Sequence, residues 1–234
     1  LTDLVGITNW NLASATNLSQ MFYDCVSLAT LAGIARWNVS NVEDFSLMFA
    51  QALNDKGQVV GTGLVDASAI KNWNFASAKT LASMFQNDHQ LTTVDFSGWD
   101  VDTGAPNLTN MLAGAVSLSK MTLGPRSVLE GAGLDNITTR RDQDGRWYLP
   151  NFTWFGDCTD MKARYSTAGN TLGNVLVYTW DGTTLGGRFA NQNTWWTYTK
   201  ASKLLTIGSD GGSNKTITET YDQLPWKDIP GLAN

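Results

Sequence analysis

Histidine is the residue type whose scarcity most restricts the chemistry of this chain. The 234 residues include one histidine, His89. A Ser-His-Asp triad or a histidine-based metal site would have to use it, because imidazole is the usual base and metal ligand near neutral pH. Neither a nucleophile elbow nor a His-Glu-x-x-His motif accompanies His89 in the sequence. The sequence therefore predicts that the chain is not an enzyme and has no catalytic residue, no metal site and no cofactor.

Binding is the remaining chemistry, and three groups of polar or aromatic residues are candidates for it. One is the pair Asp88-His89, one is a charged stretch that begins at Asn54, and one is a pair of adjacent tryptophans whose faces could cover a sugar ring. The candidate ligand-binding residues are Asp55, Lys56, Gln58, Asp88, His89, Trp195 and Trp196.

The elements that would position these residues are near-copies of one segment. In each copy a Trp precedes a Met by eleven or twelve residues: Trp10 and Met21, Trp37 and Met48, Trp73 and Met84, Trp99 and Met111. In the second copy Val42, Phe45 and Phe49 have the spacing of one face of a helix. Ser40 and Glu43 have the spacing of a capping box at its start. The pattern predicts one short helix in each copy.

A short apolar piece follows each predicted helix and is interpreted as a strand. The best example is Leu28, Leu31 and Ile34. A unit of about 27 residues with one strand and one short helix cannot bury its apolar face alone, so neighbouring units must stack. The sequence predicts an α/β repeat solenoid, a short leucine-rich-repeat array with one strand and one short helix per repeat, followed by small β-rich modules. The predicted repeat array comprises a partial first repeat and about four more.

The repeated tryptophans and the residues after them are expected to be structural. Trp10, Trp37, Trp73 and Trp99 occupy equivalent positions and should form one interior column. The polar residue that follows each of them should bond the backbone of a turn; these residues are Asn11, Asn38, Asn74 and Asp100.

Two departures from the repeat supply most of the candidate binding residues. Residues 54–63 are inserted between the second and third copies. Insertions in repeat proteins fall in loops on one face, often the binding face, although a tolerated surface loop is the simpler explanation. Asp88-His89 stands where other copies have Cys25-Val26, Ala52-Leu53 and Ala115-Val116. Alanine in two of these copies favours a small buried thiol at Cys25, with a disulfide to Cys158 as the alternative.

The repeat resembles a known family. Residues 21–31 read Met-Phe-x-x-Cys-x-x-Leu-x-x-Leu, and residues 37–42 read Trp-Asn-Val-Ser-x-Val. These motifs resemble the BspA-like leucine-rich repeats of surface proteins from Gram-positive commensals and lactobacilli. The resemblance covers residues 1–123 and implies a location at the bacterial cell surface or in the secreted fraction. It also implies a scaffold for protein binding, although such a scaffold serves many partners.

The rest of the chain is expected to be β-structure. Residues 124–187 are rich in Gly, Thr, Trp and Tyr, and resemble the β module that closes BspA-like arrays. Their predicted role is that of a β-rich capping module. Residues 188–234 carry the alternating pattern of a β-hairpin segment, with the start of a further module as the alternative. The predicted domains are therefore 1–123, 124–187 and 188–234.

Composition narrows the range of possible binding partners. The net charge is −5 and lysine and arginine are not clustered, which argues against nucleic acid. No run of eighteen apolar residues exists, so no membrane insertion is expected. The sequence predicts a monomeric, non-enzymatic fragment of a bacterial cell-surface adhesin-like protein that binds host extracellular protein or mucin glycan. The alternatives are a carbohydrate-binding accessory region of a secreted glycan-active enzyme, or a structural spacer.

Overall fold

The computed structural model describes residues 1–102, 104–134, 146–148, 155–156, 158–166, 176–181, 184–188, 194–199 and 204–209. Within these ranges, 3-10 helices span Val5–Ile7, Ala32–Ile34 and Ser68–Ile70, and an α-helix, α1, spans Cys158–Arg164. The strands are β1 (Thr93–Phe96), β2 (Lys120–Leu123), β3 (Arg146–Tyr148), β4 (Phe155–Gly156), β5 (Leu176–Asp181), β6 (Thr184–Arg188), β7 (Thr194–Thr199) and β8 (Leu204–Ser209). In this part of the chain no helix has the length and apolar character needed to cross a bilayer.

The strands form two sheets. The first has five strands in the order β1-β2-β5-β3-β4, and the second has three in the order β6-β7-β8. Strands β1 and β2 are parallel, whereas β2 and β5 are antiparallel, so the first sheet is mixed. The antiparallel pairing of β7 with β8 agrees with the hairpin expected near Trp196.

The segments predicted to be helical are turns in the structure. The residue before each repeated Met has a left-handed backbone, with φ of 57° or 58° at Gln20, Leu47, Ser83 and Asn110. This conformation is unfavourable for any residue other than glycine, and a right-handed helix cannot continue through it. Each predicted helix is therefore interrupted in the middle of its apolar face.

The backbone N–H groups of these segments bond to the next sequence unit. In the second unit Phe45 N–H donates to Thr80 O (3.0 Å), Leu47 N–H to Ala82 O (3.0 Å) and Phe49 N–H to Met84 O (2.9 Å). An α-helix would bond the same donors to carbonyl groups four residues earlier. In these segments every second N–H group therefore bonds to a carbonyl group of the next unit, and the N–H groups between them take part in turns.

These observations correct the predicted fold class. The α/β repeat solenoid with one strand and one short helix per repeat is wrong. Within the described part of residues 1–123 the helices are three-residue 3-10 turns, and the strands are only β1 and β2. Both strands belong to a mixed sheet completed by β5, β3 and β4, not to a continuous strand array. The apolar spacing was interpreted correctly as a buried face, since Val42, Phe45 and Met48 are fully buried.

The aromatic core follows the repeated tryptophans. Trp10 stacks on Trp37 with ring centroids 6.2 Å apart, and Trp37 stacks on Trp73 at 6.3 Å. Phe75 contacts both Trp73 and Trp99, and so joins the fourth indole to the others. The indole N–H groups of Trp37, Trp73 and Trp99 donate to Ile7 O, Ile34 O and Ile70 O, each at 3.1 Å. Three of the four rings therefore stack as expected, but Trp10 is 53% exposed and not interior, and Trp99 is joined to the column through Phe75.

The polar residues after the tryptophans also act largely as expected. Asn11 Oδ1 accepts the N–H of Ala13 (3.0 Å), and Asn38 and Asn74 accept those of Ser40 and Ala76 (3.2 and 2.9 Å). The carboxylate of Asp100, the fourth of these residues, forms an ion pair with Arg126 at 2.8 Å. The asparagine side chains therefore stabilise the turns that come just before the segments predicted to be helical.

Residues beyond the repeats cover β2 and the adjoining turns. Leu129 N–H donates to Tyr165 O (2.8 Å) just after α1, and Tyr165 Oη donates to Tyr178 Oη of β5 (3.0 Å). Burial raises the pKa of the Tyr165 phenol, with its contact to Tyr178 as a second cause. The helix and β5 are thereby joined to residues that follow the last repeat. The predicted domain limits stay predictions; the limit at 187/188 falls inside β6.

Candidate functional site

The inserted loop, residues 54–63, is ordered by its own first residue. Asn54 Oδ1 accepts the N–H groups of Lys56 and Gln58, both at 2.9 Å. The Asn54 N–H donates to Gln58 O (2.8 Å), and Gly57 supplies the positive φ of 71° that the reversal requires. These bonds hold the charged tip of the loop in a tight turn.

The far end of the loop is attached to the first unit. The N–H groups of Thr62 and Gly63 both donate to Val26 O, at 3.0 and 2.9 Å. Gly61 approaches so closely that a Cβ there would lie 2.5 Å from Val26 Cβ, and its φ is 120°. Only glycine fits this contact, so the return of the loop is fixed by sequence.

The surface of the loop combines apolar and charged groups. Val60 is 58% exposed and Leu53, at the start of the loop, is 48% exposed. Asp55, Lys56 and Gln58 are also exposed. An antiparallel bridge between Leu53 and Val59 holds the two sides of the loop together. The structure therefore exposes three of the predicted site residues in a loop that also exposes two apolar side chains, Leu53 and Val60, which the sequence did not single out.

Asp88, in contrast, is fully buried. Gln51 Nε2 donates to its Oδ1 at 3.3 Å, and a backbone contact with Leu64 also favours the charged form. The cost of burying the charge outweighs both and raises the pKa of Asp88 to about 8. Asp88 is thus predominantly protonated at neutral pH and lies inside the protein rather than on its surface.

Protonation also suits the hydrogen-bonding inventory around Asp88. Among the described residues, Gln51 Oε1 and Asp88 Oδ2 are buried side-chain atoms without a hydrogen-bond partner. A neutral carboxyl group gains one donor, and the amide oxygen of Gln51 is an acceptor in the same pair. A Cβ on Gly63 would lie 3.5 Å from Asp88 Oδ1, so the pair lies beneath the end of the loop. Gln51 is the hydrogen-bond partner of Asp88 that the sequence did not reveal.

The remaining predicted site residues are dispersed. His89 is half-buried, and its backbone N–H donates to Asn87 O at 2.7 Å. Trp195 and Trp196 belong to β7, but their side chains lie outside the described part of the structure. Cys25 is a free, half-buried thiol whose pKa is raised by burial, so the disulfide alternative does not apply. In the described residues no group of three or more His, Cys, Asp or Glu could hold a metal ion.

Together these features define a protein of repeated sequence units in which one inserted loop is ordered and exposed. The family model described as "Mycoplasma protein of unknown function, DUF285" matches residues 2–123, and the chain belongs to this family. No curated protein and no solved structure matches the chain.

Proposed function

We propose that the chain is a non-enzymatic segment of a bacterial cell-surface, adhesin-like protein of the BspA-like type. Its binding surface is the loop 54–63, and its partner is a host extracellular protein or mucin. The resemblance of the Trp-Asn-Val-Ser motif at residues 37–40 to BspA-like repeats supports the class of protein. The loop supports the binding role.

The observation that carries the proposal is the order of an exposed, partly apolar loop. Protein interfaces combine an apolar centre with a polar rim. Val60 and Leu53 provide the centre, while Asp55 and Lys56 provide the rim. The bonds to Asn54 and Val26 hold the loop before any partner binds, which lowers the entropic cost of association.

Binding of the full chain to immobilised matrix proteins and mucin tests this proposal. The variant Val60→Ser combined with Lys56→Ala should weaken binding about tenfold, the loss typical of two interface side chains near the centre. The control is Val177→Ser on β5, since Val177 is also a solvent-exposed valine, at 39%. Circular dichroism would confirm that both variants fold.

Two results would count against the proposed loop. Equal binding by the loop variant and the control would remove residues 54–63 from the binding surface. Binding to mucin that disappears after glycan removal and is unchanged in the loop variant would favour the carbohydrate-binding alternative. Absence of binding to every partner tested would favour the spacer.

A further inference from the structure

A buried pair of polar side chains lies where the two ends of the inserted loop meet. Gln51 lies three residues before the loop 54–63, and Leu64 follows the loop directly. Gln51 Nε2 donates to Asp88 Oδ1 at 3.3 Å, and the backbone of Leu64 contacts the same carboxyl group. Gln51 is 4% exposed and Asp88 is fully buried. The third unit therefore supplies one side chain that joins both ends of the loop.

The start of the loop is also held by backbone bonds that do not involve the carboxyl group. The Gln51 N–H donates to Gln86 O at 2.9 Å, and Asn87 Nδ2 donates to Gln51 O at 3.2 Å. The turn that carries Asp88 is closed by the bond from the Asp88 N–H to Phe85 O at 3.2 Å. The position of Gln51 therefore does not depend on the charge of Asp88.

The return end of the loop is held differently. The N–H groups of Thr62 and Gly63 share one acceptor, Val26 O. Asp88 lies beneath them, since a Cβ on Gly63 would be 3.5 Å from its Oδ1, and it contacts the backbone of Leu64. A change at the carboxyl group therefore acts first on the return end.

The charge on Asp88 decides whether the buried pair is complementary. The bond from Nε2 to Oδ1 leaves over Gln51 Oε1 and Asp88 Oδ2, and both atoms are buried without a partner among the described residues. A neutral carboxyl group carries the donor that the pair lacks, whereas a carboxylate adds an acceptor and a buried charge. Burial outweighs the contacts with Gln51 and Leu64 and raises the pKa of Asp88 to about 8. The closed loop therefore favours the protonated form.

Other titratable groups lie on the elements around Asp88. These residues are His89, Asp24, Cys25, Asp55 and Lys56. Among the described residues none of their side chains is hydrogen-bonded to Asp88; the Asp24 carboxylate accepts the Ala52 N–H instead, at 3.2 Å. Burial raises the pKa of the Cys25 thiol above its ordinary 9.0, so Cys25 titrates above Asp88. Residues 108–118, the equivalent segment of the fourth unit, contain no titratable side chain.

We propose that Asp88 is a pH-sensitive clamp on the loop 54–63: its neutral carboxyl group holds the return end of the loop, and ionisation releases it. The closed loop holds a proton that the open loop, with Asp88 in water, gives up. Opening should therefore become more favourable by up to about tenfold per pH unit from the ordinary pKa of 3.8 to about 8. Above this pH both forms are ionised and the effect levels off. The clamp acts on the loop itself and does not depend on what the loop binds.

Trypsin cleavage after Lys56 measures this opening, because cleavage follows the population of the open form when opening is fast. Dividing the rate by that of a free peptide of residues 50–62 at each pH removes the pH dependence of the protease. Between pH 6.5 and pH 8 the normalised rate should rise at least about fivefold and then level off. Cleavage after Lys71 and Lys79, which lie outside the loop, should not rise with it.

Substitutions at Asp88 separate the clamp from a general loss of stability. Asp88→Asn keeps a donor for Gln51 without a charge, so cleavage after Lys56 should stay slow and independent of pH. Asp88→Ala introduces the residue type found at the equivalent Ala115 and removes the clamp, so cleavage should be fast at every pH. His89→Gln is the matched control and should keep the pH dependence of the original chain.

A flat pH profile in the original chain, or the same rise in the Asp88→Asn variant, would overturn the proposal. An equal rise after Lys71 and Lys79 would also overturn it, because Asp88 would then act on the whole fold and not on the loop. The expected profile in a chain that binds no partner would support the clamp and reject the binding role, so the two proposals can fail separately.

Discussion

The two ends of the repeat region contain the same kind of residues but are finished differently. At the later end, β5 pairs antiparallel with β2, and the lateral N–H groups of Asn110 and Leu112 find acceptors at Gly131 and Ala132. In residues 1–24, by contrast, Trp10 is half exposed, and the carbonyl groups of Asn17, Ser19, Met21 and Tyr23 accept no hydrogen bond from the described residues. Burial and pairing therefore depend on the neighbour a unit has and not on its own sequence.

The largest expected effect separates an interior tryptophan from the exposed one. Trp73→Ala removes a fully buried indole between two neighbouring rings and should cost about 3–5 kcal/mol of unfolding free energy. Trp10→Ala should cost less than half of this, because much of its ring already contacts water. Urea unfolding followed by circular dichroism measures both. Equal losses of unfolding free energy for the two variants would mean that Trp10 is packed as well as Trp73, contrary to its exposure.

The second prediction concerns the buried carboxyl group that distinguishes the third unit from the others. Asp88 has a pKa of about 8 in the folded protein and 3.8 as its ordinary value. The folded state therefore holds a proton that the unfolded state releases between these pH values. The stabilising effect of protonated Asp88 is complete below about pH 4 and is lost as the pH rises to about 8. Over this range the unfolding free energy falls by at most about 1.4 kcal/mol per pH unit.

The variant Asp88→Asn isolates this contribution. Asparagine keeps the shape and stays neutral, so the fall in stability between pH 5 and pH 8 should become much shallower. Urea midpoints measured at several pH values would show it. Identical pH profiles for the variant and the original chain would mean that Asp88 is not the group that titrates.

A smaller effect tests the left-handed positions that interrupt the predicted helices. Ser83 has φ of 58°, so Ser83→Gly should stabilise the chain by about 1 kcal/mol by relieving backbone strain. The neighbouring Ala82 does not have a positive φ, so Ala82→Gly should destabilise it by about 0.5–1 kcal/mol. Thermal unfolding of the two variants gives the comparison. The same sign for both would contradict the alternation of backbone conformations.

The smallest expected effect concerns an ion pair between units. Lys79 Nζ lies 2.7 Å from Glu43 Oε2, but both side chains are largely exposed. Glu43→Gln should therefore change stability by no more than about 1 kcal/mol, and less at high salt. Unfolding at low and at high ionic strength measures this. A clearly larger loss that shrinks at high salt would show that the lateral contacts depend on charge more than on backbone pairing.

The sequence predicted the buried faces well because burial follows from residue type and spacing. Val42, Phe45 and Met48 were assigned to one face and are all buried. Of the four tryptophans assigned to one interior column, Trp10, Trp37 and Trp73 do stack, but Trp10 is half exposed and Trp99 is joined to them only through Phe75. The same spacing misled the assignment of secondary structure. A period near 3.6 marks one face of a helix, but in this chain turns and lateral bonds place the same residues inward.

The candidate site was only partly accessible to sequence reasoning. The departure from the repeat at residues 54–63 identified the loop, and Asp88 was singled out because it replaces a small apolar residue. Nothing in the residue pattern indicated that Asp88 is a buried, neutral partner of Gln51, because the two residues are 37 positions apart. It also gave no sign that Val60 and Leu53 remain exposed.

By itself, the sequence determined the repeat, the aromatic column, the asparagine turns and the place of the inserted loop. These depend on local spacing, on side-chain size and on hydrogen bonds between neighbouring residues. The three-dimensional arrangement was needed to show which units the lateral N–H groups bond, the protonation of Asp88 and the exposure of Trp10 beside its buried equivalents. Each of these depends on which backbone groups of a distant unit lie within hydrogen-bonding distance, and residue spacing within one unit does not specify that.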